Sequence, residues 1–97
     1  MRPRKCRRIG FNPNVTYFKP AGVRTIDLEE VVLTMEEFEA VRLIDFENIE
    51  QNEASKMMKI SQPTLSRILK SARKKLSDAI ISGKAVKIGG GNFEFKS

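Results

Sequence analysis

Histidine is absent from this 97-residue chain and cysteine occurs once, at Cys6. Without imidazole, His-based triads and the usual zinc sites are excluded, and one thiol makes neither an internal disulfide nor a cysteine metal cage. No apolar run approaches the ~18 residues that span a bilayer, so no membrane partner is expected. The N-terminal charges are not followed by the apolar segment that directs export, and the chain reads as cytoplasmic. No internal repeat is visible. Ninety-seven residues suffice for one domain with a modest core. No nucleophile and base pair or metal-ligand constellation stands out, so an enzyme is not expected and no cofactor or metal is implied.

What the chain has is charge, arranged in blocks. The formal net charge is +6 and the isoelectric point about 9.8, which points to a polyanionic partner. Residues 1–24 carry seven Lys and Arg and no acid. Residues 25–53 reverse the sign, with ten acids against Arg42 alone, and residues 54–97 carry ten Lys and Arg against Asp78 and Glu94. A single block of this kind is commonly just a solvated face; two basic blocks flanking an acidic one are harder to read that way.

Pro3, Gly10, Pro13, Pro20 and Gly22 punctuate the first segment too often for a helix. Short strands are expected at Arg7–Phe11 and Val15–Phe18, and Ile26 and Leu28 alternate with acids ahead of Val31–Leu33. Thr34 and Glu37 form a capping box that predicts a helix from Thr34 to about Phe46–Asn48, with Phe38, Val41 and Ile44 along its apolar stripe. Glu36, Glu37 and Glu39 read as a solvated acidic first turn favoured by the helix dipole. A second helix over Glu50–Met58 places Ala54, Met57 and Met58 in the core. Ser61 is the N-cap of a third, Pro63 falls in its first turn, and Gln62, preceding proline, weakens its start. From Leu65 the apolar positions Ile68, Leu69, Ala72, Leu76, Ala79 and Ile80 keep helical spacing, and Gly83 ends the run. Val86, Ile88, Phe93 and Phe95 suggest a strand or hairpin around Gly89-Gly90-Gly91, which lacks the Lys, Ser/Thr and following helix of a phosphate loop.

The expected fold is mainly α: a three-helix helix-turn-helix domain with short β segments at its N- and C-terminal ends. Residues 1–97 form one domain, with a basic arm and short strands over 1–33, the helix-turn-helix core over 34–82 and a strand or tail over 83–97. In the helix-turn-helix, Ala54 and Ser55 let two helices approach, and Met58, Ile60, Leu65 and Ile68 fill the space between them. Lys59 stands at the turn, where a positive φ usually selects glycine.

A helix presented this way enters the major groove of DNA. Gln62, Pro63, Thr64, Ser66 and Arg67 are the candidate base contacts; Gln pairs with adenine and Arg with guanine. Ser61, Lys70, Arg73 and Lys74 are candidate phosphate contacts. The alternative is an ordinary solvated face, against which stands the match between the cationic residues and the helix-turn-helix register. Arg2, Arg4, Lys5, Arg7 and Arg8 are candidate arm contacts to the minor groove or the backbone, or simply a charged tail. Cys6 lies among these cations, which favour a thiolate; with no second cysteine to resolve it, an inert thiol is the plainer reading.

RPRKCRR, FKPAGV and LTMEEFEAVRLIDFENIEQNEASKMMKISQPTLSRILKSARKKLSDAIISGKAVKIGGG resemble, over essentially the whole chain, uncharacterised protein family 0251, or domain of unknown function 134, a group of small prokaryotic proteins. The marks are the Arg2-Pro3-Arg4 start, Glu39-Ala40-x-Arg42-Leu43-x-Asp45, the helix-turn-helix, Ala72-Arg73-Lys74-Lys75 and Gly83-Lys84. The resemblance implies a DNA-binding transcriptional regulator. Departures are Lys59 in place of glycine, and Asn52 and Ser55 in a segment commonly Gln-Glu-Glu-Ala-Ala. Ile60–Leu76 is also similar to region 4 of sigma factors, but this chain has no room for the other domains a sigma factor needs, so only shared architecture is inferred.

The leading expectation is therefore sequence-specific binding of double-stranded DNA by a transcriptional regulator, as a homodimer because helix-turn-helix proteins commonly read two half-sites. One alternative is a protein-interaction adaptor whose acidic helix docks on a partner such as RNA polymerase. Another is a non-specific architectural nucleic-acid binder.

Overall fold

The computed structural model describes residues 7–10, 16–89 and 93–95. Their order is β1 (Arg7–Ile9), β2 (Tyr17–Phe18), β3 (Glu30–Leu33), α1 (Met35–Val41), α2 (Gln51–Met58), α3 (Gln62–Ser82), β4 (Ala85–Ile88) and β5 (Phe93–Phe95). The domain is mainly α, with short strands before and after the helices. Arg2, Arg4, Lys5, Cys6, Phe11, Val15, Gly90 and Gly91, which the sequence singled out, lie outside the described residues, as do the side chains of Arg7 and Arg8.

The capping box at Thr34 is formed on both sides: Glu37 N–H donates to Thr34 Oγ1 at 3.2 Å, and Thr34 N–H donates to Glu37 Oε1 at 2.9 Å. The helix then widens into a π turn over Arg42–Phe46 and ends where Asn48 takes a positive φ of 61°. α2 ends in a Schellman motif: Lys59 occupies the left-handed position at φ 59°, ψ 45°, and Ile60 N–H reaches back to Ser55 C=O at 3.0 Å. Gly83, at φ 69°, closes α3 in the same way, with Lys84 N–H on Ala79 C=O at 2.9 Å.

α3 is the spine of two cores. Toward the other helices, Leu65 and Leu69 pack with Ala40 and Leu43 of the first helix and Ala54 and Met58 of the second. Ile60 and Ile68 border this cluster, as the helix-turn-helix spacing requires. Toward the strands, Ala72 joins Leu33, Met35 and Ile88, with Leu76, Phe38 and Val86 at the margin. Each fully buried leucine is worth about 2 to 3 kcal/mol. β4 runs at the centre of a three-stranded sheet, antiparallel to β2 and parallel to β3, so the chain on either side of the helices is pulled together at their base.

Several local expectations are corrected. β4 and β5 do not form a hairpin: both edges of β4 are occupied by β2 and β3, and β5 pairs in parallel with β1 instead. Ile26 is exposed in a short turn over Thr25–Asp27, held by an Arg24–Asp27 ion pair at 2.9 Å, and takes no part in a strand. Met57 is exposed because the short α2 buries only the face through Ala54 and Met58, and Ile80 is exposed because Ala79, about 100° away around the helix, takes the buried position.

The acidic first turn is not a solvated face. Glu37 and Glu39 are only 6% and 2% exposed. Ser71 Oγ donates to Glu37 Oε2 at 2.6 Å, and Lys75 Nζ to Oε1 at 2.8 Å. Arg42 grips Glu39 through two bonds of 2.8 Å, and Gly10 N–H donates to Glu39 Oε2 at 2.9 Å. A carboxylate is tolerated at such depth only when its lone pairs are taken, and here hydrogen bonds reach both oxygens of each.

Candidate nucleic-acid interface

The described candidates from Ser61 to Lys74 lie along the cap and the first thirteen residues of α3. Ser61 caps the helix, its Oγ accepting from Thr64 N–H at 3.2 Å and its hydroxyl donating to Thr64 Oγ1 at 2.9 Å. Pro63 sits in the first turn, where no N–H is needed. Arg67 Nη2 approaches Thr64 Oγ1 at 3.5 Å. Gln62, Pro63, Ser66 and Arg67 are exposed and Thr64 is half-buried. Helical geometry groups Pro63, Ser66, Arg67 and Lys70 on the side of α3 opposite Leu65, Leu69 and Ala72.

Gln62 does not begin α3 as a loose end. Its Nε2 donates to Asn52 Oδ1 on α2 at 2.7 Å, a link between the two helices that spans ten residues of sequence. The amide keeps its carbonyl oxygen and a second N–H, the donor and acceptor pair that matches an adenine edge. Asn52 is a residue that sequence reasoning noted only as a departure from the family pattern; no periodicity marks it, because its partner is set by how α2 and α3 cross.

The cations divide into two groups. Among the described residues, Arg67, Lys70 and Lys74 make no ion pair, and each is exposed. Arg73 is held by Asp45, at 2.6 Å from Nη2 and 3.2 Å from Nε. The hydrogen bonds to Asp45, stronger than the opposing effect of partial burial, push the Arg73 guanidinium pKa up. Lys75 points the other way, to Glu37 and the Val32 carbonyl. Lys56 on α2 and Lys59 at the turn are exposed beside the same helix pair, and neither was named as a DNA contact from the sequence. Among the described residues no group of three acidic, Cys or His side chains is placed to hold a metal. No helix there is long and apolar enough to cross a membrane.

A short helix and a long one joined by a tight turn, with the second presenting polar and cationic side chains, define the molecule as a small helix-turn-helix domain. The family model described as "Protein of unknown function DUF134" matches residues 1–96, and the chain belongs to that family. It is 54% identical over 92 residues to a UPF0251 protein of Thermoanaerobacter pseudethanolicus, which covers 95% of this chain and 78% of the relative. A UPF0251 protein of Caldanaerobacter subterraneus is 54% identical over 93 residues, 96% of this chain and 79% of its own. One from Dehalococcoides mccartyi is 54% identical over 93 residues, 96% of this chain and 80% of its own. No solved structure matches.

The geometry explains the motif that first carried the family resemblance. In Glu39-Ala40-x-Arg42-Leu43-x-Asp45, Ala40 and Leu43 are core, Glu39 and Arg42 pair with each other, and Asp45 holds Arg73.

Proposed function

We propose that this chain binds double-stranded DNA sequence-specifically, as a homodimeric transcriptional regulator of the cytoplasm, by placing the first half of α3 in the major groove. The observation that carries the reading is the Gln62–Asn52 bond of 2.7 Å beside exposed Ser66 and Arg67: a base-reading edge ordered before DNA arrives. Ordering a side chain in advance lowers the entropy lost on binding. Gln62, Ser66 and Arg67 read base edges, Pro63 and Thr64 add apolar contact, and Lys70 and Lys74 meet phosphates. Ser61 serves the helix cap first, and Arg73 reaches a phosphate only by leaving Asp45. The adaptor reading loses ground because two of the three carboxylates it relied on, Glu37 and Glu39, are buried in ion pairs.

Selection from random duplex DNA at two salt concentrations tests this. An enriched site is expected; Arg67→Ala relaxes preference at one or two positions, while Lys74→Ala lowers the salt slope by about one without changing preference. Equal loss on every sequence for both variants would overturn the assignment of roles, and no enrichment would overturn sequence specificity.

A further inference from the structure

α3 changes character along its length. Its first thirteen residues expose Arg67, Lys70, Arg73 and Lys74, whereas its last turns expose Ser77, Ile80, Ile81 and Ser82, none of them charged. Ile80 and Ile81 are 80% and 84% exposed, while Leu65, Leu69, Ala72 and Ala79 of the same helix are buried. The charges nearest this end are drawn into one cluster: Lys84 Nζ lies 2.9 Å from Asp78 Oδ2 and 3.8 Å from Glu29 Oε1, and Ser82 donates to Asp78 Oδ1 at 3.0 Å. Isolated exposed apolar residues are ordinary; two adjacent isoleucines presented together on an uncharged helix end form an apolar patch.

We propose that this end of α3 is where a second copy of the chain docks, Ile80 and Ile81 packing across a two-fold axis. Two arguments select a second copy over an unrelated partner. A two-fold contact sets each surface against itself, so like charge opposes it; the cationic stretch Arg67–Lys74 repels its own image and the uncharged isoleucine end does not. The position also fits the ligand. From Ser66 to Ile80 the helix rises ~21 Å, so an axis at Ile80 holds the two reading ends up to ~42 Å apart, and ~34 Å, one turn of DNA, when the helices are inclined. An axis at Arg73 would limit the ends to ~21 Å along their helices, too short for successive major grooves. The spacing argument rests on the DNA-binding reading; the existence of the interface does not.

The test is the mass of the full chain in solution, by sedimentation equilibrium across the micromolar range, without DNA. The wild type is expected to be a dimer. The Ile80→Lys, Ile81→Lys double variant is expected to be a monomer with unchanged helical circular dichroism, and its melting temperature should no longer depend on protein concentration as that of the wild type does. Ile80→Ala with Ile81→Ala, which retains good helix formers, should weaken the dimer at least tenfold and gives a second reading should the lysines disturb folding. A monomeric wild type, or a dimer that survives both double variants, overturns the proposal. With a selected palindrome in hand, the lysine variant should bind a single half-site as well as wild type does and lose the advantage of the second. If no DNA site emerges, the functional reading falls while the sedimentation result still decides the interface.

Discussion

Lys75 Nζ lies 2.8 Å from Glu37 Oε1 and 2.7 Å from the Val32 carbonyl, so one ammonium group joins α3 to the first turn of α1 and to β3. The helix-turn-helix is tied to its strands at this point.

Burial alone would push the Glu37 carboxyl up, but the bonds from Lys75, Ser71 and Thr34 together outweigh it and hold the pKa below the ordinary value. With the folded value below the unfolded one, near ~4.3, the stabilisation is complete above the unfolded pKa and is lost as pH falls through the folded pKa. Urea midpoints should therefore decline on acidification more steeply in wild type than in Glu37→Gln. At neutral pH, Glu37→Ala should cost about 3 kcal/mol, since it breaks the capping box and strands Lys75. A cost under about 0.5 kcal/mol in the same urea titration, the range of ordinary surface substitutions, would show the cluster to be incidental.

Lys59 holds a left-handed conformation that glycine adopts without a Cβ penalty. Lys59→Gly should raise stability by about 0.5 to 1 kcal/mol, the relief of strain exceeding the extra entropy of glycine in the unfolded chain. Thermal melts of the two proteins check this, and a lower melting temperature for the variant would contradict it.

Asp45 restrains Arg73 in the free protein. Asp45→Asn should cost no more than about 1 kcal/mol of stability, as the pair is largely exposed. It should also tighten DNA binding and steepen the salt slope by about one, because Arg73 becomes free for a phosphate. Unchanged affinity would mean that Arg73 stays clear of the DNA.

Much of the helical part was legible because its signals are local. The capping box at Thr34, the cap at Ser61, the glycine stop at Gly83 and the spacing from Leu65 to Ala79 each involve residues within a few turns of one another, and each is realised. The positive φ at Lys59 was expected from turn geometry even though the residue type argued against it. Signals failed where partners are distant. Glu37 looked like a solvated first-turn acid until Ser71 and Lys75, 34 and 38 residues away, closed on it. Gln62 is expected from the sequence to face a base, but its hold on Asn52 depends on the crossing of two helices. Met57 and Ile80 kept the right periodicity and are exposed all the same, since periodicity says which side is apolar and not how far a neighbouring element extends to cover it.

The sequence by itself determined the three helices, their boundaries and the cationic character of α3, because these follow from intrinsic propensity, capping chemistry and a repeat of 3.6 residues. Only the tertiary structure decided which charges are spent inward and which remain available. Arg42, Arg73, Lys75 and Lys84 are committed to Glu39, Asp45, Glu37 and Asp78, leaving Arg67, Lys70 and Lys74 open along the face of α3. Arg42 and Lys84 find their partners within six residues along the chain, but Arg73 and Lys75 find theirs 28 and 38 residues away, at distances that only the packing of the first helix across α3 sets.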